Sequence, residues 1–151
     1  MTILRGGVIG FGGAGQGLTR YINEHKHEEA SIVAACNRSQ PNLDIAREKF
    51  GLAVTQDVQE LVEMELDFVL VTSTNYAHVE HVVAAANAGL HIFCEKPLAL
   101  SADDADRMID AVESSDVINV INYSFRFTDA YLQIKNLIDS GEMGQLLSIT
   151  S

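Results

Sequence analysis

The chain has 151 residues, 47% hydrophobic and 21% charged, with a formal net charge of −11. That length suits one domain with one core. The acidic balance, without clustered Lys and Arg, argues against nucleic acid and against an anionic membrane surface as partners.

Strand-like and helix-like patterns alternate from the start. Residues 7–10 predict a first strand and residues 13–25 a helix. Residues 32–36 form a short β-branched run, followed by Asn37, Arg38 and Ser39. Residues 44–50 predict a helix stopped by Gly51. A short strand is predicted over 52–54 and a short helix over 58–64. Residues 68–71 are continuously apolar, as in a strand buried on both faces. A helix over 76–88 ends at Gly89, and 91–94 is the next strand. Ser101 caps a helix that runs through residue 114, with Asp104 at a capping-box-like spacing. Residues 117–121 predict a sixth strand, and 129–140 a helix stopped by Gly141.

This alternation with short connections predicts an α/β protein with right-handed crossovers. The expected architecture is a three-layer Rossmann fold: a doubly wound parallel sheet of about six strands with helices on both faces. No internal repeat or low-complexity segment interrupts it. The run 146–151 looks like the beginning of a strand, so a division is expected between a dinucleotide-binding domain over 1–121 and a segment over 122–151. That segment reads as a linker helix and the start of a second, substrate-carrying domain of a longer enzyme. The N-terminus lacks a charged region followed by a long apolar stretch, and no run approaches a membrane span. A cytoplasmic protein is expected, with Cys36 and Cys94 as buried free thiols.

Gly10-Phe11-Gly12-Gly13-Ala14-Gly15 fits G-x-G-x-x-G between a strand and a helix. In that context Gly10 permits the tight turn, Gly12 lets backbone approach a pyrophosphate, and Gly15 lets the helix pack closely. The helix N-terminus supplies free N–H groups for phosphate. At the end of the second strand an acid would select NAD by accepting from the ribose 2′-OH. Here Asn37, Arg38 and Ser39 occupy that place. Asn37 can still bond the hydroxyl, whereas Arg38 and Ser39 suit a 2′-phosphate. NADP is therefore favoured slightly over NAD. Glu95-Lys96-Pro97 places charge where a buried strand ends. A lysine partly desolvated there becomes usable for proton transfer.

Together the glycine loop, Ser73-Thr74-Asn75-Tyr76-Ala77-His78, Glu95-Lys96-Pro97 and Tyr123-Ser124-Phe125-Arg126-Phe127 resemble the Gfo/Idh/MocA oxidoreductases. The resemblance implies an NAD(P)-binding Rossmann domain and reversible hydride transfer between a sugar or polyol carbon and the nicotinamide. A homo-oligomer is a further expectation. By the resemblance Lys96 is catalytic, holding and protonating or deprotonating the reacting oxygen. Glu95 lies near the nicotinamide ribose, and Pro97 fixes the turn, with a cis peptide as one option. Ser73, Thr74, Asn75 and His78 border the cofactor, and Arg126 approaches the nicotinamide or substrate side. The family often has Thr-Pro-Asn where this chain has Ser73-Thr74-Asn75, which predicts a less rigid turn. Its further catalytic Asp and His lie beyond Ser151, so the 151-residue chain alone is expected to be inactive.

Three other readings are weaker. His78 and His81 stand three apart rather than at the four-residue spacing of helical zinc pairs, so no metal is expected. Tyr131 and Lys135 have the Tyr-x-x-x-Lys spacing of short-chain dehydrogenases, but in the segment matching the linker helix. A non-catalytic nucleotide sensor has the same fold, and Lys96 speaks against it because a sensor needs no amine beside the nicotinamide.

Overall fold

The computed structural model describes residues 2–148. Strands β1 (Leu4–Ile9), β2 (Ala30–Cys36), β3 (Ala53–Thr55), β4 (Phe68–Val71), β5 (His91–Glu95) and β6 (Asn119–Asn122) form one sheet. Helices α1 (Gly13–His25), α2 (Gln40–Phe50), α3 (Val58–Val62), α4 (His78–Asn87) and α5 (Ala102–Ser115) connect them, and α6 (Asp129–Asp139) follows. The strand order is β3-β2-β1-β4-β5-β6, and every neighbouring pair is parallel. The winding therefore reverses between β1 and β4, as in a doubly wound dinucleotide-binding sheet.

Alternation along the strands builds a core on each face. Val8, Ala35 and Leu70 pack with Phe11, Ala46 and Leu52 on the side of α1 and α2. Ile9, Cys36, Val69 and Val71 pack with Leu61 of α3, Val82 and Ala85 of α4, and Met108 of α5 on the other. One β-bulge interrupts this parity. Gly6 pairs with Ile32 but Gly7 pairs with Ala34, so Val33 is the extra residue. Ile32 consequently joins the α1–α2 core, while Val33 and Ala34 both face the other. A one-residue slip of this kind moves side chains to the opposite face.

Several boundaries differ from the sequence expectation. Helix α2 begins at Gln40, four residues early, because Pro41 fits the first turn of a helix, where no N–H is needed. The predicted helix over 76–88 divides into a 3-10 turn, Asn75–Ala77, and α4. Strand β1 extends back to Leu4, β2 to Ala30, and β6 ends one residue later than predicted. Residues 146–148 belong to no strand, and the rest of that predicted strand lies outside the described residues. Ser101 caps α5 as expected, its Oγ accepting from Asp104 N at 3.1 Å. No helix among the described residues is long and apolar enough to cross a membrane.

Both cysteines are free and buried. Burial, reinforced by Glu95, pushes the Cys94 thiol from 9.0 up to about 12; burial, then Asp57 and Glu60, pushes Cys36 up to about 11. A raised folded-state pKa means that the unfolded thiols ionise first. Their contribution to stability is complete below the unfolded value of 9.0 and is lost as pH rises toward about 12. Urea midpoints are expected to fall between about pH 8 and about pH 10, and to fall less in Cys94→Ala. An equal slope in both proteins would contradict this account.

Candidate functional site

The carboxyl ends of the strands surround a cleft of about 340 Å³ at the β1–β4 reversal. Gly10 and Gly12 line it from the β1–α1 loop, and Asn37 and Arg38 from the end of β2. Thr72, Ser73 and Thr74 line it after β4, with Asn42, Gln56, Ala77 and His81 completing the wall.

The three motif glycines do three different things. Gly10 has φ +100°, and a Cβ there would lie 2.5 Å from the backbone of Ser73. It lets the turn press against β4, where Thr72 Oγ1 donates to Gly10 O at 2.6 Å. A Cβ on Gly15 would meet Gly10 O at 2.6 Å, so α1 is seated directly on this turn. A Cβ on Gly12 would meet nothing within 4 Å. Gly12 therefore keeps space clear beside the cleft rather than relieving a contact inside the protein.

The start of α1 is electrostatically prepared for an anion. Its N-cap, Gly12, makes no side-chain cap, and no acidic residue lies in its first turn. By contrast, α3 is capped by Asp57, and α5 by Ser101 with Asp103 and Asp104 in its first turn. The first N–H groups of α1, on Gly13, Ala14 and Gly15, have no intrahelical partner. They and the helix dipole suit a phosphate. Phe11 contributes backbone only, because its side chain is fully buried edge-on against Phe50 with centroids 5.3 Å apart.

At the end of β2, Asn37 Oδ1 accepts from Ser39 N at 3.0 Å, which leaves the Asn37 amide N–H free. Ser39 is the N-cap of α2, and its hydroxyl makes no cap bond. Arg38 Nη2 donates to the Tyr76 hydroxyl at 2.8 Å. This bond ties the loop after β2 across to the turn after β4. Asn42 and Gln56 carry no sequence signal; His81 stands out there only as a candidate metal ligand, and Tyr76 only as part of the motif after β4. Tertiary packing brings Asn42, Gln56 and His81 to the cleft and Tyr76 to Arg38.

The turn after β4 is more constrained than a missing proline suggests. Ala77 N donates to Thr74 O at 2.8 Å, and Ser73 Oγ lies 2.8 Å from His81 Nδ1. Asn75 is exposed in that turn. His78, expected to border the cofactor, is instead fully buried behind the wall. Its Nδ1 lies 2.9 Å from Pro97 O and its Nε2 3.2 Å from Ser73 O. The histidine facing the cleft is His81, whose protonation is disfavoured by burial, then by His78 and Arg38.

Glu95, Lys96 and Pro97 emerge at the end of β5, the strand beside β4. The Lys96–Pro97 peptide is cis. Glu95 Oε1 accepts from Asn122 Nδ2 at 2.8 Å, and Glu95 Oε2 from Lys96 N at 3.3 Å. Lys96 is exposed rather than desolvated, and among the described residues it makes no ion pair. Arg126 is exposed in a 3-10 turn, Ser124–Phe127, away from the cleft wall. Gly10, Gly12, Asn37, Arg38, Ser73 and Thr74 thus share one cleft, with Lys96 one strand away and Arg126 outside it.

The family model of the Gfo/Idh/MocA proteins, an oxidoreductase family with an NAD-binding Rossmann fold, matches residues 4–123. Inositol 2-dehydrogenase of Salmonella typhimurium is 35% identical over 97% of this chain and 44% of its own length. A myo-inositol 2-dehydrogenase structure from Lactobacillus plantarum superimposes with a TM-score of 0.90 at 28% identity, covering 97% of this chain and 44% of that one. The scyllo-inositol dehydrogenase of Lactobacillus casei, solved with NAD(H) and scyllo-inositol, superimposes at 0.88 with 26% identity, covering 95% of this chain and 43% of that one. The chain thus spans less than half the length of the relatives it matches.

Two glycine substitutions separate fold from site. Gly10→Ala forces a Cβ into Ser73 at positive φ and is expected to destabilise by about 2–4 kcal/mol. Gly12→Ala meets no protein atom; its melting temperature is expected to stay within about 2 °C while dinucleotide affinity drops at least about tenfold. Thermal melts and fluorescence titration check both, and unchanged affinity in Gly12→Ala would contradict the assignment.

Proposed function

Because the chain belongs to the Gfo/Idh/MocA oxidoreductase family, we propose that it is the cofactor-binding part of a dehydrogenase acting on a sugar or polyol. The supporting observation is the contrast among the glycines: Gly10 and Gly15 are closed in by protein, while Gly12 faces open space beside an uncapped, acid-free helix N-terminus. Those residues fit a dinucleotide pyrophosphate. The inositol dehydrogenases among its relatives support the substrate class.

In this reading a bound nicotinamide supplies hydride transfer at its C4. Gly10, Gly12 and the first N–H groups of α1 hold the diphosphate, and Ser73, Thr74 and Asn75 border the cofactor beyond it. Lys96 takes the hydroxyl proton as substrate is oxidised and returns it in the reverse direction. Glu95, held by Asn122, stands beside the nicotinamide ribose. Residues 122–151 act as the link to a substrate domain. Supporting this, α6 has no buried residue and leaves Tyr131, Leu132 and Ile134 exposed.

The preferred cofactor in this proposal is NADP. Arg38 and the free Ser39 hydroxyl stand where an acid would otherwise repel a 2′-phosphate, and Tyr76 orients the guanidinium. NADP is expected to bind more tightly than NAD, and Arg38→Ala to narrow the ratio by about tenfold. Tighter binding of NAD would overturn the preference. In the full-length protein, Lys96→Ala is expected to leave cofactor affinity within about twofold and to lower turnover of a sugar or polyol at least about 100-fold. Surviving turnover would overturn the proton-transfer role of Lys96, whereas no turnover by the unmodified full-length protein would favour a nucleotide sensor.

A further inference from the structure

His78 faces two loops at once. Its Nδ1 contacts Pro97 O in the loop that carries Lys96, and its Nε2 contacts Ser73 O in the turn that walls the cleft. Among the described residues, no other side chain is hydrogen-bonded to both loops. The ring itself is fully buried and starts α4, so its backbone is held by a helix packed on the sheet.

We propose that His78 is a positioning residue for Lys96: it braces the loop after β5 against the turn after β4. The amine and the cofactor cleft then keep a fixed spacing. This inference rests on the reading of Lys96 as the proton-transfer group. Reacting atoms tolerate little displacement, since a misplacement of about 1 Å can cost about 100-fold in rate.

The brace has a proton requirement. Both partners are carbonyl oxygens, which only accept. A neutral imidazole has one N–H and satisfies one of them, leaving a lone pair against the other. The imidazolium donates to both. His81 stands one turn along α4 from it, and Glu95 and Lys96 precede Pro97 in the chain.

The test uses the full-length protein with His78→Ala, His78→Gln and Lys96→Ala in parallel, turned over on a polyol with NADP and NAD. His78→Ala is expected to lower kcat at least about tenfold while cofactor Kd moves less than about threefold. His78→Gln, with an amide donor for one carbonyl, is expected to recover part of kcat. Unchanged kcat in both His78 variants, or equal losses of kcat and cofactor affinity, would overturn the brace. Turnover by Lys96→Ala would instead overturn the catalytic reading on which it rests. If His78→Ala does not fold, imidazole nitrogen NMR of the wild-type protein decides. Protons on both His78 nitrogens in the cofactor complex support the brace, and a single protonated nitrogen at every pH where the enzyme works overturns it.

Discussion

The whole site depends on one close approach, the seating of α1 on the turn that leaves β1. Gly15 and Gly10 allow helix, turn and β4 to touch without an intervening side chain, and Thr72 locks the turn through its hydroxyl. A larger residue at either position would lift α1 from the sheet and turn its N-terminus away from the cleft. The dipole, the free N–H groups and the open space at Gly12 would then no longer converge. The chain leaves this helix start uncapped while capping α3 and α5. Helix α2 is likewise uncapped and acid-free, so what distinguishes the start of α1 is the open space at Gly12 beside the cleft.

Much of the fold was legible because parallel strands buried on both faces read as plain apolar runs, and glycines mark the helix stops. The glycine loop was legible for a related reason, since its residues are contiguous and each has a backbone task. Boundaries set by competing local effects were less so. Pro41 reads as a breaker yet opens α2, and a 3-10 turn precedes α4 where periodicity shows a single helix. The least legible parts were contacts between loops far apart in sequence. His78 sits in a motif that suggested cofactor contact, and only the packed structure shows its ring turned inward toward Ser73 and Pro97. Tyr76 acquires meaning only once Arg38 lies opposite.

Polar side chains link the strand ends in a continuous chain. Arg38 after β2 reaches Tyr76 after β4, the histidines at the start of α4 reach Ser73 and Pro97, and Asn122 at the end of β6 reaches Glu95. The sheet sets the spacing of the strands, but these bonds orient the loops above it. Such an arrangement places the ordering of the cofactor side and that of the Lys96 side under shared constraints. The loop that carries the exposed Lys96 is held from beneath even though the lysine side chain itself is free.

The bulge at Val33 has a different consequence. It divides β2 into two registers, one set by Leu4–Gly6 and the other by Gly7–Ile9. The second delivers Asn37 and Arg38 to the cleft. Because the parity changes at Val33, a slip or length change in the stretch before it can be absorbed there, without rotating Asn37 and Arg38 out of the cleft. The bulge thus serves as a mechanical buffer. It leaves the entry to β2 free to diverge in length while the exit, which lines the cleft, stays in step with the glycine turn.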